Sequence, residues 1–182
     1  MRNLVIDIGN SRIKSALFEG NDLIGDHSFM DLDSALSFWM TMEFGSCLVS
    51  SVSVSGEDLA EKIPFHFHFL SNSTVLPILN GYATPKTLGL DRMGAAVGAW
   101  HLAGKNPVLA IDLGSCITFE YVDDLAIYRG GAISPGLLMR AKAMNSFTAR
   151  LPFVDLDHKP EIPIGDSTIS CMQAGIWYGV EH

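Results

Sequence analysis

Basic residues are scarce in this chain: 12 Lys and Arg stand against 20 Asp and Glu in 182 residues, a net charge of −8. That balance argues against nucleic acid and anionic membranes as general partners, because both call for a positive surface. It leaves local anion binding open, since turn amides and one lysine are enough to hold a phosphate. Cysteine is scarce too. Cys47, Cys116 and Cys171 are an odd number without C-x-x-C spacing, which argues against a disulfide framework or a zinc site and for reduced thiols in the cytoplasm. No apolar run approaches the ~18 residues of a membrane-spanning helix, and no stretch is of low complexity. The first residues enter a strand pattern directly, so no signal peptide is expected.

What the chain does have is apolar residues, 48% of the total, enough for a substantial core. The length allows one large domain or two small ones. The organising stretch is Asp7-Ile8-Gly9-Asn10-Ser11-Arg12-Ile13-Lys14, set between Leu4-Val5-Ile6 and Ser15-Ala16-Leu17-Phe18. Gly9 and Asn10 suit a tight turn, so the segment reads as a β-hairpin. Its turn amides form an anion cradle to which Lys14 adds a point charge. Asp7 repels a bare phosphate but can orient a Mg²⁺ that bridges phosphates, directly or through water. Taken alone, this is also the pattern of an ordinary hairpin.

A second copy follows. Asp112-Leu113-Gly114-Ser115-Cys116-Ile117-Thr118 comes after Val108-Leu109-Ala110-Ile111 and leads into Thr118-Phe119-Glu120-Tyr121-Val122. Two strand–turn–strand–turn–strand units predict a duplicated α/β chain with a cleft between halves, residues 1–104 and 105–182. Between the copies, helical spacing covers Asp31 to Phe44, and Cys47 to Ser53 reads as a buried strand. Gly56 to Ile63 reads as a short helix. Phe65-His66-Phe67-His68-Phe69 alternates as a strand; its two histidines share a face but have no evident third metal ligand. Met93 to Ala103 is a helix of small residues ended by Gly104, on which Gly94 and Gly98 share a face and permit close backbone approach. Asp91 and Arg92 stand before it, either as a cap and a surface charge or as a carboxylate and an anion-binding arginine. Arg129 to Gly136 reads as a glycine-dense loop before a helix, Leu137 to Thr148. It suits phosphate approach or plain close packing. Ser167 or Thr168 is expected to cap a last helix, Ile169 to Val180. With three strands against about five, the second half reads as truncated.

The ordered set of these motifs resembles the type III pantothenate kinases, also described as Bordetella virulence accessory factor-like, in the actin and sugar-kinase superfamily. The matching pieces are Asp7 to Lys14, Gly89-Leu90-Asp91-Arg92, Asp112 to Thr118 and Gly130-Gly131-Ala132-Ile133-Ser134-Pro135-Gly136, with Asn80-Gly81-Tyr82 and Gly165-Asp166-Ser167-Thr168 looser. The resemblance implies duplicated ribonuclease H-like, actin-like ATPase domains. It implies phosphorylation of pantothenate by ATP, the first step of coenzyme A biosynthesis. It places Asp7, Ile8, Gly9, Asn10, Ser11, Arg12, Ile13, Lys14 and Ser115 at ATP, with Asp7 acting through Mg²⁺. Asp91 is the implied base, and Tyr82, Gly89, Leu90, Asp91, Arg92 and Thr168 the implied pantothenate site. Asp112 would hold K⁺ or NH₄⁺. Ser115 stands where the family has threonine, and the family's C-terminal glycine-rich adenosine motif has no counterpart. A cytoplasmic homodimer, its pantothenate pocket completed across the interface, is also implied. The alternatives are another sugar kinase or phosphatase of the superfamily, or a non-catalytic regulatory relative.

Overall fold

Alternation of apolar and polar residues decides which way the first strand faces. In β1 (Arg2–Ile8) the side chains of Leu4, Ile6 and Ile8 are buried, while Val5 and Asp7 point to the opposite face. The structure is a computed structural model that describes residues 1–181. The chain divides into two compact units, Met1–Gly98 and Ala99 onwards.

The first unit holds a five-stranded sheet in the order β3-β2-β1-β4-β5. Strands β2 (Ile13–Glu19) and β3 (Asp22–Phe29) extend β1 as an antiparallel meander. On its other side β1 pairs in parallel with β4 (Ser46–Ser51), which pairs in parallel with β5 (His68–Phe69). The core joins Leu4, Ile6 and Ile8 to Ile13, Leu17, Cys47 and Val49, covered by Ala35 and Trp39 of α1 (Leu32–Trp39) and Leu59 of α2 (Gly56–Lys62). Burial pushes the Cys47 thiol up to about 12, so it packs as an inert apolar group. Trp39 is fully buried, edge-on to Phe29 and Phe65. Removing such a ring costs about 3–5 kcal/mol.

Both helices start at side-chain caps. Asp31 Oδ1 accepts from the Ser34 amide at 2.8 Å, and Ser55 Oγ from the Asp58 amide at 3.1 Å. Helix α1 stops sooner than its spacing predicts. The Thr41 amide and hydroxyl both donate to the Phe38 carbonyl, which tightens the last turn to an i−3 pattern and ends it. The Phe65–Phe69 segment is also less regular than predicted. Its phenylalanines do pack against the core, but only His68 and Phe69 join the ladder.

Two residues, Leu79–Asn80, form β6. Helix α3 (Leu90–Leu102) begins earlier than predicted and takes Asp91 and Arg92 into its first turn. It ends as expected: Gly104 is left-handed, and the Gly104 and Lys105 amides donate to His101 and Trp100 carbonyls. The close approach that Gly94 and Gly98 permit is not used among the described residues. A Cβ at either would meet nothing within 4 Å.

The second unit is built on β7 (Val108–Leu113), β8 (Cys116–Val122) and β9 (Ile127–Pro135), an antiparallel meander. The Arg129–Gly136 loop of the sequence reading is mostly strand. The glycines serve packing: a Cβ at Gly131 would overlap the Phe119 carbonyl oxygen on the neighbouring strand. Helices α4 (Leu137–Phe147) and α5 (Thr168–Glu181) pack around Ala141, Val154, Met172 and Ile176. Ser167 is the cap of α5, its Oγ accepting from the Ser170 amide.

The turn from β8 to β9 is held by Asp123. One carboxylate oxygen accepts from the Leu125 and Ile127 amides at 3.0 and 2.9 Å, the other from Arg129 Nε at 2.6 Å. Burial pushes this carboxyl up, but the two amides and the guanidinium outweigh it and hold it below the ordinary aspartate value. Its stabilising effect is therefore complete above about pH 4 and is lost as pH falls through the lower folded value. Asp123→Asn is expected to lower the melting temperature by several degrees at pH 7. The gap from the parent in urea midpoint should narrow below about pH 4. A gap that is constant from pH 7 to pH 2.5 would contradict this account.

The two meanders differ in cover. Leu4, Ile6 and Ile8 are at most 5% exposed, whereas Leu109, Ile111 and Leu113, at the same distances from their Asp-x-Gly turn, are 53%, 55% and 73% exposed. An apolar strip on an outer strand invites association. Residues 1–182 are expected to self-associate at micromolar concentration in sedimentation velocity. Ile111→Lys should reduce that association without lowering the melting temperature. A parent that sediments as a monomer at that concentration speaks against the strip as an adhesive surface.

Candidate active site

The hairpin register builds the first part of the site. Pairing of β1 with β2 sets Asp7 directly across from Lys14. Pairing of β2 with β3 sets Ser28 across from Lys14 and Asp26 across from Ala16. All point away from the core, because their strand neighbours Ile6, Ile8, Ile13, Ser15 and Leu17 are buried. Val5, Asp7, Lys14, Ala16, Asp26 and Ser28, with Ser15 and His27 between them, line an open cavity of about 420 Å³. The turn between the strands is closed by the Gly9 amide donating to the Arg12 carbonyl at 3.1 Å. Asn10, Ser11, Arg12 and Lys14 are exposed at its tip. Of the predicted ATP residues, Ile8 and Ile13 turn their side chains into the core, which leaves only their backbone for a ligand.

Asp26 and Ser28 were not among the residues singled out from the sequence. A hairpin register shows them, but β3 carries a bulge opposite Leu17/Phe18, so counting back from the turn at Gly20 does not give their partners. Ser50 was missed for a similar reason. It lies across from Asp7 in the parallel pairing of β1 with β4, which spans a long loop and helix.

The second part lies around the start of α3. Asp91 is exposed in the first turn of the helix, and Arg92 is buried beside it. The Arg92 guanidinium stands 5.8 Å from the centroid of the Tyr82 ring, within cation–π range. Tyr82 is placed by its own turn, its amide donating to Asn80 Oδ1 at 2.9 Å. A Cβ at residue 89 would run into Asp91 Oδ1, so Gly89 makes room for the carboxylate to fold back over the helix N-terminus. Tyr82, Gly89, Asp91 and Arg92 thus form one local group.

In the second unit the β7–β8 hairpin sets Asp112 across from Thr118. The Asp112 side chain and Ser115 are exposed. The Gly114 amide donates to the Cys116 carbonyl, and the Gly136 amide to the Ser115 carbonyl. A Cβ at Gly136 would collide with the Gly114 and Ser115 carbonyls. The two Asp-x-Gly turns share their logic: a carboxylate at the strand end, a polar residue across from it, a glycine amide closing the turn. Thr118 stands where Lys14 stands in the first. Thr168 lies exposed at the first position of α5, next to its Ser167 cap.

His66 and His68 are exposed with ring centroids 5.2 Å apart. Among the described residues no group of three or more His, Cys, Asp or Glu is placed to hold a metal ion, and no helix is long and apolar enough to cross a membrane.

Comparison with known proteins identifies the family. A family model described as type III pantothenate kinase matches residues 3–182. The chain is 40% identical over 185 residues to a type III pantothenate kinase of Phocaeicola vulgatus, covering 98% of this chain and 76% of that protein. It is 39% identical over 184 residues to one of Flavobacterium johnsoniae, covering 97% and 74%. Among solved structures, a conserved Baf family protein of Campylobacter jejuni, described as a transcriptional activator, superposes with a TM-score of 0.60. The identity is 24%, over 98% of this chain and 75% of that one, a likeness of fold. On the family match and the identities over nearly its whole length, the chain belongs to the type III pantothenate kinase family.

Proposed function

We propose that this chain transfers the γ-phosphoryl group of ATP to the hydroxyl of pantothenate, giving 4′-phosphopantothenate in the first step of coenzyme A biosynthesis. The observation that carries the reading is the family match over residues 3–182. In the fold this implies, residues 1–104 and 105–182 are two ribonuclease H-like halves of an actin-like ATPase, each contributing one Asp-x-Gly turn. The protein works in the cytoplasm as a homodimer that completes the pantothenate pocket.

Phosphoryl transfer passes through a loose transition state, so positioning and charge neutralisation supply most of the catalysis. The amides of Asn10, Ser11 and Arg12 cradle the phosphates, the Gly9 amide being taken by the Arg12 carbonyl, and Lys14 adds a positive charge beside them. Ser115, on the turn of the second unit, offers an exposed hydroxyl for a phosphate. Asp7, with the Ser50 hydroxyl on the adjacent strand, is a hard oxygen donor set that fits Mg²⁺ and the waters it keeps. When bound there, Mg²⁺ neutralises phosphate charge. Asp112, with Thr118 opposite and the turn carbonyls, offers oxygen ligands that fit K⁺ or NH₄⁺.

Asp91 takes the proton of the pantothenate hydroxyl and orients its oxygen toward phosphorus. Gly89 keeps that carboxylate folded back. Arg92, within cation–π range of Tyr82, meets the pantothenate carboxylate, and Leu90 bounds the pocket. A charged guanidinium held against a ring loses less freedom on binding its anion than a surface lysine does.

The direct test is turnover of pantothenate with ATP, Mg²⁺ and K⁺. Asp91→Asn should keep the parent's melting temperature and lower turnover about 100-fold or more, the usual size of a lost general base. Near-parent turnover would remove Asp91 from the mechanism. In the same assay, Asp112→Ala should abolish the advantage of K⁺ over Na⁺. A variant that still responds to K⁺ as the parent does would place the cation elsewhere.

A further inference from the structure

The register across four strands aligns Ser50 of β4, Asp7 of β1, Lys14 of β2 and Ser28 of β3 in one row. Ser50 differs from the other serines near it. Its Oγ is buried and has no hydrogen-bond partner. The next residue shows the contrast: Ser51 Oγ accepts from the Val54 amide at 2.9 Å and the Ser53 amide at 3.3 Å, which shapes the turn after β4. Ser15 also has a buried hydroxyl without a partner, but it lies on the core face, across from Ile6. Ser50 lies on the face of Asp7, since its neighbours Val49 and Cys47 fill the core. Folded proteins leave few buried hydroxyls unpaired, because each forfeits its hydrogen bonds to water. An unpaired one beside a ligand-facing carboxylate is accounted for if the ligand supplies the partner.

We infer that Ser50 is a positioning residue of the divalent-cation site at Asp7, its Oγ accepting a hydrogen bond from a water in the cation's shell. This rests on the phosphate-site reading of the Asp7 turn. Mg²⁺ gives up its waters reluctantly and is held through them. Such waters direct their protons outward and need oxygen acceptors. A carboxylate and a hydroxyl on adjacent strands, about 4.8 Å apart at the backbone, present two acceptors to neighbouring waters. The Ser50 hydroxyl makes no hydrogen bond within the protein, so its loss should weaken the cation and not the fold.

The test uses Mn²⁺ as a paramagnetic stand-in for Mg²⁺ and inorganic tripolyphosphate as the phosphate probe, with ¹⁵N-labelled protein. The readout is broadening of the Ile8 and Gly9 amides as Mn²⁺ is added. In Ser50→Ala the Mn²⁺ midpoint should rise about tenfold, the lower end of what losing a metal's outer hydrogen-bond partner costs. The melting temperature without metal should not fall. Ser50→Cys, near in volume but without the hard oxygen, should behave as Ala does. An unchanged midpoint in both variants overturns the inference. So does a raised midpoint in Ala with an unchanged one in Cys, which would make volume the operative property. A parent whose Ile8 and Gly9 amides do not broaden overturns it as well. In each of these cases, turnover of pantothenate leaves the kinase reading standing.

Discussion

Burial of one face of β1 is the constraint on which the first unit depends. Leu4, Ile6 and Ile8 have to leave water, and the strand can do that only by laying them against α1 and α2. Side chains alternate with period two, so Val5 and Asp7 are forced to the other side. A slip of one residue would put Asp7 into the core, at a cost no hairpin turn could offset. The same constraint carries across to β2, where Ile13, Ser15 and Leu17 face inward and Lys14 outward, and to β4, where Val49 faces inward and Ser50 outward. The polar row of the candidate site is therefore the reverse side of the apolar core.

The second unit uses the same hairpin with different fittings. Its register is pinned by Asp123 at one end and by close packing of glycine at the other, where Gly131 lies against the Phe119 carbonyl and Gly136 against the Gly114–Ser115 turn. Inside, Glu120 is fully buried and accepts from the Tyr128 hydroxyl. A carboxylate without a polar partner could not be kept there. Polar groups and glycines thus fix this sheet where the first relies on apolar burial.

The group around the start of α3 follows from helix chemistry. The helix begins one turn before the run of small residues that marks it in the sequence, so Asp91 falls at its N-terminal turn, where a carboxylate is favoured by the free amides. Arg92 then has to be buried with the helix, and Tyr82 supplies a ring for its guanidinium. Gly89 is small because Asp91 occupies the space a side chain would take. Gly89, Asp91 and Arg92, within four residues of one another, are therefore one device.

Much of this was legible in the sequence, for a physical reason. Strand alternation, caps and turns are local, and residues close along the chain carry them. The two Asp-x-Gly turns, a cap at Ser167 or Thr168 and the stop at Gly104 all come from neighbours a few positions apart. The extents of β5, α1 and β9 did not, because ladder pairing and backbone contacts from distant segments set them. Arg129 to Gly136 has the composition of a loop, yet the Phe119 carbonyl across the ladder requires its glycine in a strand. Which serine stands beside Asp7 was likewise decided by tertiary structure. Ser50 reaches that place only through a parallel pairing closed over more than forty residues, and a parallel register leaves no mark in either strand's own sequence.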